Sequence, residues 1–251
     1  MMKRLRCALS RGKEERVEKK ADGAVQLNVL THGDSYTRGF YASGMLYSPY
    51  ADVIQNLLSE AEIPAEVVES GVNGETTDSM LGRLKDNLAA VKITYDVVCL
   101  LGGLNDLAYK KTSVEIVKNL CDMASVAVEH GAKCVCLSTI PTNKLDRNED
   151  LKEISLVKLE ANRMLRDRFG PGGGSGKQQA VVLVDMAKVV DAVGMQGEEV
   201  DAYFSDNLHY SPKAYELIGK SMHAVIMARC EAGGLVLPHK LLEAPDDATT
   251  R

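Results

Sequence analysis

The sequence predicts an α/β domain built on a five-stranded parallel sheet with helices on both faces. Three observations carry this expectation. Strand-like apolar runs alternate with segments of helical spacing from residue 25 to residue 232. Two of the runs, Asp96–Leu101 and Lys133–Thr139, are almost wholly apolar, as strands buried on both faces are. The length of 251 residues is enough for one such domain.

In chain order, the β-branched segment Val25–Thr31 is the first strand, and it runs into His32-Gly33-Asp34-Ser35. Tyr50–Glu62 has helical spacing, with Val53, Ile54, Leu57, Leu58 and Ala61 on one face, and Pro64 ends it. Ala65–Glu69 is a short strand followed by the Gly/Asn turn Ser70–Gly74. Thr77–Val91 is helical along Met80, Leu81, Leu84, Leu88 and Val91, and strand Asp96–Leu101 follows. Ser113–His130 reads as a helix with Ser113 as N-cap and Gly131 as its stop. Strand Lys133–Thr139 leads through a polar loop, Pro141–Asp150, into a helix ending near Phe169. Gly170–Gly176 reads as a surface loop and Ala180–Met186 as the fifth strand. The last helix starts at Ser211 and Pro212 and ends near Cys230. One domain is expected over residues 23–237, flanked by a basic tail (1–22) expected to be disordered and a C-terminal tail (238–251).

Composition narrows the function. Apolar residues make up 45% and charged residues 26%, a globular profile, and no run reaches the roughly 18 apolar residues of a membrane span. With no Trp and 3 Phe, the core is expected to be aliphatic. The net charge is −5, and residues 1–22 carry a surplus of four basic charges, so the rest carries −9 and a nucleic-acid surface is not expected. The six Cys show neither CxxC nor zinc spacing, and five sit in apolar segments, the pattern of reduced thiols in an intracellular, cytoplasmic protein. The Arg-rich start admits organelle targeting, but Glu14, Glu15 and Glu18 speak against a transit peptide. No cofactor is expected, and the phosphate-cradling motifs GxxxxGK[ST] and a strand-linked GxGxxG are both missing from the sequence; no metal is expected, as the Cys and His lack zinc spacing.

Ligands of a parallel α/β sheet bind beyond the carboxyl ends of its strands. Polar residues follow the first three strands there: Asp34-Ser35, Asn73-Gly74 and Asn105-Asp106. Ser35 is a nucleophile candidate that needs a base. Of the five His, His130 ends a helix, His223 lies within one, His239 is in the tail, and His32 points away from its strand neighbours. His209 lies in a loop, three residues after Asp206, whose carboxylate can accept its Nδ1–H. Oxyanion donors are at hand in the backbone N–H groups of Ser35 and Gly74 and the side-chain amide of Asn105. Taken singly, each of these residues is an ordinary turn former.

Taken in order, Gly33-Asp34-Ser35, Gly74 in Asn73-Gly74-Glu75-Thr76-Thr77, Gly103-Leu104-Asn105-Asp106, and Asp206-x-x-His209 resemble the four blocks of the SGNH (GDSL-like) hydrolase superfamily. The resemblance spans residues 28 to about 220. It implies a flavodoxin-like three-layer α/β/α sandwich and a serine esterase acting on small-molecule esters through an acyl-enzyme. It assigns Ser35, His209 and Asp206 to the triad and Ser35, Gly74 and Asn105 to the oxyanion hole, with Asp34 and Asp106 in support. Two residues depart from the family pattern: Tyr36 follows the Ser where Leu or Ile is common, and His32 stands where an apolar or small residue is usual. Both are expected to alter substrate fit. An acyltransferase or thioesterase on the same scaffold, or a catalytically inactive flavodoxin-like binding module, are the alternative readings.

Overall fold

A computed structural model of the chain describes residues 26–170 and 180–237. The expected tails at 1–22 and 238–251, Val25, Cys7, His239 and most of the Gly170–Gly176 loop lie outside the described residues.

Strand β1 (Leu27–Gly33) is followed by a single helical turn, α1 (Ser35–Arg38), and by a small antiparallel hairpin, β2 (Phe40–Tyr41) and β3 (Leu46–Tyr47). Then come α2 (Tyr50–Glu60), β4 (Ala65–Gly71), α3 (Thr77–Ala90), β5 (Val97–Leu101), α4 (Leu104–Ala108), α5 (Ser113–Glu129) and β6 (Cys134–Ser138). The chain continues through α6 (Lys152–Phe169), β7 (Val181–Val184), α7 (Met186–Val189) and α8 (Glu198–Tyr203) to α9 (Pro212–Glu231).

The main sheet has the order β4-β1-β5-β6-β7 and every pairing in it is parallel. On one face α2 packs on α9; on the other α5 lies between α3 and α6. This is the expected three-layer α/β/α sandwich. Strands β5 and β6 are buried along their whole length because helices cover both faces. Register then sets the position of the functional edge. Gly33 stands opposite Gly71 on one side and Leu101 on the other, so three strands end in one row and their following loops converge.

Three expectations need correction. The N-cap of α5 is Thr112, not Ser113: the Thr112 side chain accepts from Glu115 N–H while Glu115 bonds back to Thr112 N–H, a capping box that satisfies two otherwise unpaired donors. The core is not purely aliphatic: Tyr36, Tyr50, Tyr210 and Tyr215 are fully buried, and Tyr36 and Tyr210 meet edge to face at 4.9 Å. The Pro141–Asp150 segment is not a plain loop. It holds a 3₁₀ turn, Lys144–Arg147, capped by Asn143 and tied to α6 by the buried Lys158–Asp146 pair.

Candidate active site

Ser35 owes its position to the end of β1. Asp34 caps α1, its Oδ1 accepting from Tyr36 N–H at 2.9 Å, and Ser35 is the first residue of that turn. A Cβ on Gly33 would lie 2.1 Å from the Leu101 carbonyl oxygen, so only glycine lets β1 close on β5 immediately before the nucleophile turn. The Tyr36 ring is buried and its hydroxyl donates to the Leu208 carbonyl. The residue after Ser35 therefore anchors the loop that carries His209 and is not a substrate-facing residue, which corrects the expectation for Tyr36.

That loop is closed by a bridge between Phe204 and Tyr210 and by a bond from Ser205 N–H to the His209 carbonyl at 3.0 Å. The loop brings His209 Nε2 to 3.2 Å from Ser35 Oγ. On the other side of the ring, Nδ1 lies 3.1 Å from Asp206 Oδ2. Asp206 Oδ1 accepts from the backbone N–H groups of Leu208 (2.7 Å) and His209 (2.6 Å). One carboxylate thus makes both the local Asx turn and the imidazole contact. Burial alone would raise the Asp206 pKa; the two backbone N–H bonds and the imidazole outweigh it and hold the carboxyl below its ordinary value. With Nδ1 protonated, the ring donates to Asp206 and leaves Nε2 to accept from the Ser35 hydroxyl. The Phe40 ring, from the hairpin, sits 4.4 Å from the imidazole, centroid to centroid.

The other two blocks reach the same edge. Gly74 is third in the turn Val72–Glu75, which is closed by Glu75 N–H to Val72 O at 3.2 Å; its φ of +76° is the value a turn of this kind reserves for glycine. Asn105 Nδ2 donates to Asp34 Oδ2 at 3.2 Å and to the Glu75 carbonyl at 3.0 Å. Both of its N–H bonds are engaged, so a substrate oxygen would have to share or displace one of these acceptors. Asp106 is fully buried, accepts from Thr77 N–H (2.9 Å) and the Thr77 hydroxyl (2.6 Å), and pairs with Lys111 at 3.1 Å. It fastens the Asn105 loop to the start of α3. Asp34 is pushed up to about 7, first by burial, which its bond from Tyr36 N–H only partly offsets, and further by the carboxylates of Asp106 and Glu75.

His32 is fully buried, with Nε2 2.9 Å from the Met80 carbonyl, and burial with the nearby Arg83 charge lowers its pKa to about 4. It is a neutral core residue of β1, turned toward α3, and does not line the substrate site, against expectation. Sequence reasoning also missed Arg83 and Phe40, which touch this edge from α3 and from the hairpin.

Residues 31–217 match the GDSL-like Lipase/Acylhydrolase family. The chain belongs to this family. This GDSL-family chain is accordingly a hydrolase acting on ester bonds. Its fold is similar to that of a lipase/acylhydrolase from Enterococcus faecalis, with a TM-score of 0.61 and 22% identity over 81% of this chain and 97% of that one. It is also similar to a lipolytic protein of the G-D-S-L family from Veillonella parvula (TM-score 0.60, 18% identity, 80% and 98% covered). A third is the psychrotrophic esterase EstA from Pseudoalteromonas sp. (TM-score 0.58, 18% identity, 81% and 98% covered). No curated protein matches the sequence at a significant level. Among the described residues, no helix is long and apolar enough to cross a membrane and no group of three His, Cys, Asp or Glu could hold a metal ion.

Proposed function

We propose that this hydrolase cleaves small acyl esters through an acyl-enzyme formed on Ser35, within a domain spanning residues 23–237 and inside the cell. The observation that carries the reading is the unbroken line from Ser35 Oγ through His209 to Asp206, with contacts of 3.2 and 3.1 Å. In the first step Ser35 Oγ attacks the ester carbonyl while His209 Nε2 takes its proton; Asp206 stabilises the imidazolium. The carbonyl oxygen, now negative, is met by the N–H groups of Ser35 and Gly74 and by the Asn105 amide. The C–O bond to the alcohol then breaks and the alcohol leaves with the proton held by His209. Water attacks the acyl-Ser35 ester, gives a proton to His209, and the acid departs as that proton returns to Ser35 Oγ.

A fluorophosphonate tests the nucleophile. EstA from Pseudoalteromonas sp. has a structure inhibited by monoethylphosphonate, which supports phosphorus reagents as probes here. Mass spectrometry of the labelled protein should find one adduct, on Ser35. An adduct on another Ser with Ser35 unmodified would overturn the assignment.

The reading includes a preference for small acyl groups. Met45, Leu46 and Tyr47 are exposed on the hairpin whose Phe40 ring lies 4.4 Å from the His209 ring, Asn73 bonds the Tyr47 hydroxyl at 3.4 Å, and Val72, the residue before Asn73, is also exposed. These exposed side chains offer apolar surface to a short acyl chain. Against a series of p-nitrophenyl esters, kcat/KM should peak at short chains. A rate still climbing beyond about ten carbons, where each buried CH₂ adds about 0.8 kcal/mol, would contradict the reading.

A further inference from the structure

Arg83 lies on α3, outside all four sequence blocks, yet its guanidinium touches three segments of the site. Nε–H donates to Glu75 Oε1 at 2.9 Å and Oε2 at 3.0 Å, and one terminal nitrogen also reaches Oε2. That same nitrogen donates to the Gly33 carbonyl at 3.0 Å. The other donates to the Ser70 hydroxyl at 2.6 Å and the Ser70 carbonyl at 3.2 Å, with His32 Nδ1 at 3.4 Å. The side chains of Arg83 and Glu75 are 21% and 10% exposed, so this is a largely desolvated pair and not a screened surface one.

Glu75 is the link to chemistry. Its N–H closes the turn that holds Gly74, and its carbonyl accepts one proton of the Asn105 amide. Gly33, the other end of the clamp, is two residues before Ser35. Resting on the proposed roles of Ser35, Gly74 and Asn105, we infer that Arg83 is a positioning residue for the oxyanion side of the site, acting through Glu75. One planar fork fixes the end of β1, the end of β4 and the Gly74 turn relative to one another. A lysine, a point charge with three donors, cannot span all three.

The role has a kinetic signature. Oxyanion donors act on charge that appears only in the transition state, so loosening them lowers kcat and leaves KM nearly unchanged. A misplacement of about 1 Å can cost on the order of 100-fold. Arg83→Ala should therefore lower kcat on p-nitrophenyl acetate by about 100-fold per active site, counted by fluorophosphonate titration to completion. Arg83→Lys and Glu75→Gln, which keep most of the packing, should each lower it by roughly 10-fold, about half the logarithmic loss for part of the contact. Arg83→Ala combined with Glu75→Ala should be no slower than Arg83→Ala alone, because both act through one contact. A control comes from the Arg166–Asp185 pair, bonded at 2.8 Å beyond β6 and β7: Asp185→Asn should lower Tm and leave kcat per titrated site unchanged. Normal kcat per titrated site in Arg83→Lys and Glu75→Gln, with only Tm reduced, overturns the inference while the assignment of Ser35 stands. A wild-type protein that takes no label on Ser35 instead removes the reading on which the inference rests.

Discussion

Ser35→Ala and His209→Ala are each expected to lower kcat for a chromogenic ester by on the order of 10⁶-fold, with the double variant no slower than either single one. The non-additivity follows from the geometry. The Ser35 hydroxyl and His209 Nε2 share one proton across 3.2 Å, so removing either partner removes the same step. Asp206→Asn should cost somewhat less, on the order of 10⁴-fold, because the amide cannot accept from Nδ1–H and favours the wrong tautomer. It should also weaken the loop, since Asp206 Oδ1 accepts from two backbone N–H groups. The loss in Ser35→Ala should come without a large change in Tm, as alanine keeps the Cβ and gives up only the hydroxyl with its bond to His209 Nε2. Circular dichroism melts alongside turnover of purified variants check this. A His209→Ala protein that keeps a tenth of wild-type activity would mean that another group takes the proton.

Much of this site is legible in the sequence because strand ends are legible. Gly33, Gly71 and Leu101 share one row of the sheet, and the polar residues that follow each strand converge for that reason alone. The bounds of long elements shift by only one or two residues, as with Thr77–Ala90 against an expected Thr77–Val91. The short elements escape detection. Two-residue strands such as Phe40–Tyr41 and Leu46–Tyr47 are too brief to show a period of two, and single turns such as Ser35–Arg38 show no period of 3.6. Phe40 is consequently invisible as a neighbour of His209. The Arg83–Glu75 pair is hidden for another reason: its members are eight residues apart across a turn and a helix start, so no i,i+4 rule points to it. The Tyr36 hydroxyl bond to Leu208 spans 172 positions and depends on tertiary packing alone.

Asn105→Ala should lower kcat by on the order of 10²–10³-fold with KM changed much less, the loss expected for one oxyanion donor. The resting contacts of the amide sharpen this expectation. Nδ2 spans the Asp34 carboxyl at 3.2 Å and the Glu75 carbonyl at 3.0 Å, so its plane is fixed before substrate arrives, and donation to an oxyanion means sharing or giving up one of these two acceptors. Asn105→Asp should be worse than Asn105→Ala. It removes the donor from both acceptors and sets a second carboxyl against Asp34, whose pKa burial and the Asp106 and Glu75 charges already push up to about 7. Two carboxyl groups in that contact cannot both ionise, and any net negative charge there opposes the developing oxyanion. The competing account is that Asn105 only ties the loop after β5 to the Gly74 turn. On that account Asn105→Ala lowers Tm and leaves kcat per titrated site unchanged, and Asn105→Asp does the same to a greater degree. Thermal melts combined with fluorophosphonate titration separate the two, because the donor role predicts a normal count of titratable Ser35 turning over at least a hundredfold more slowly.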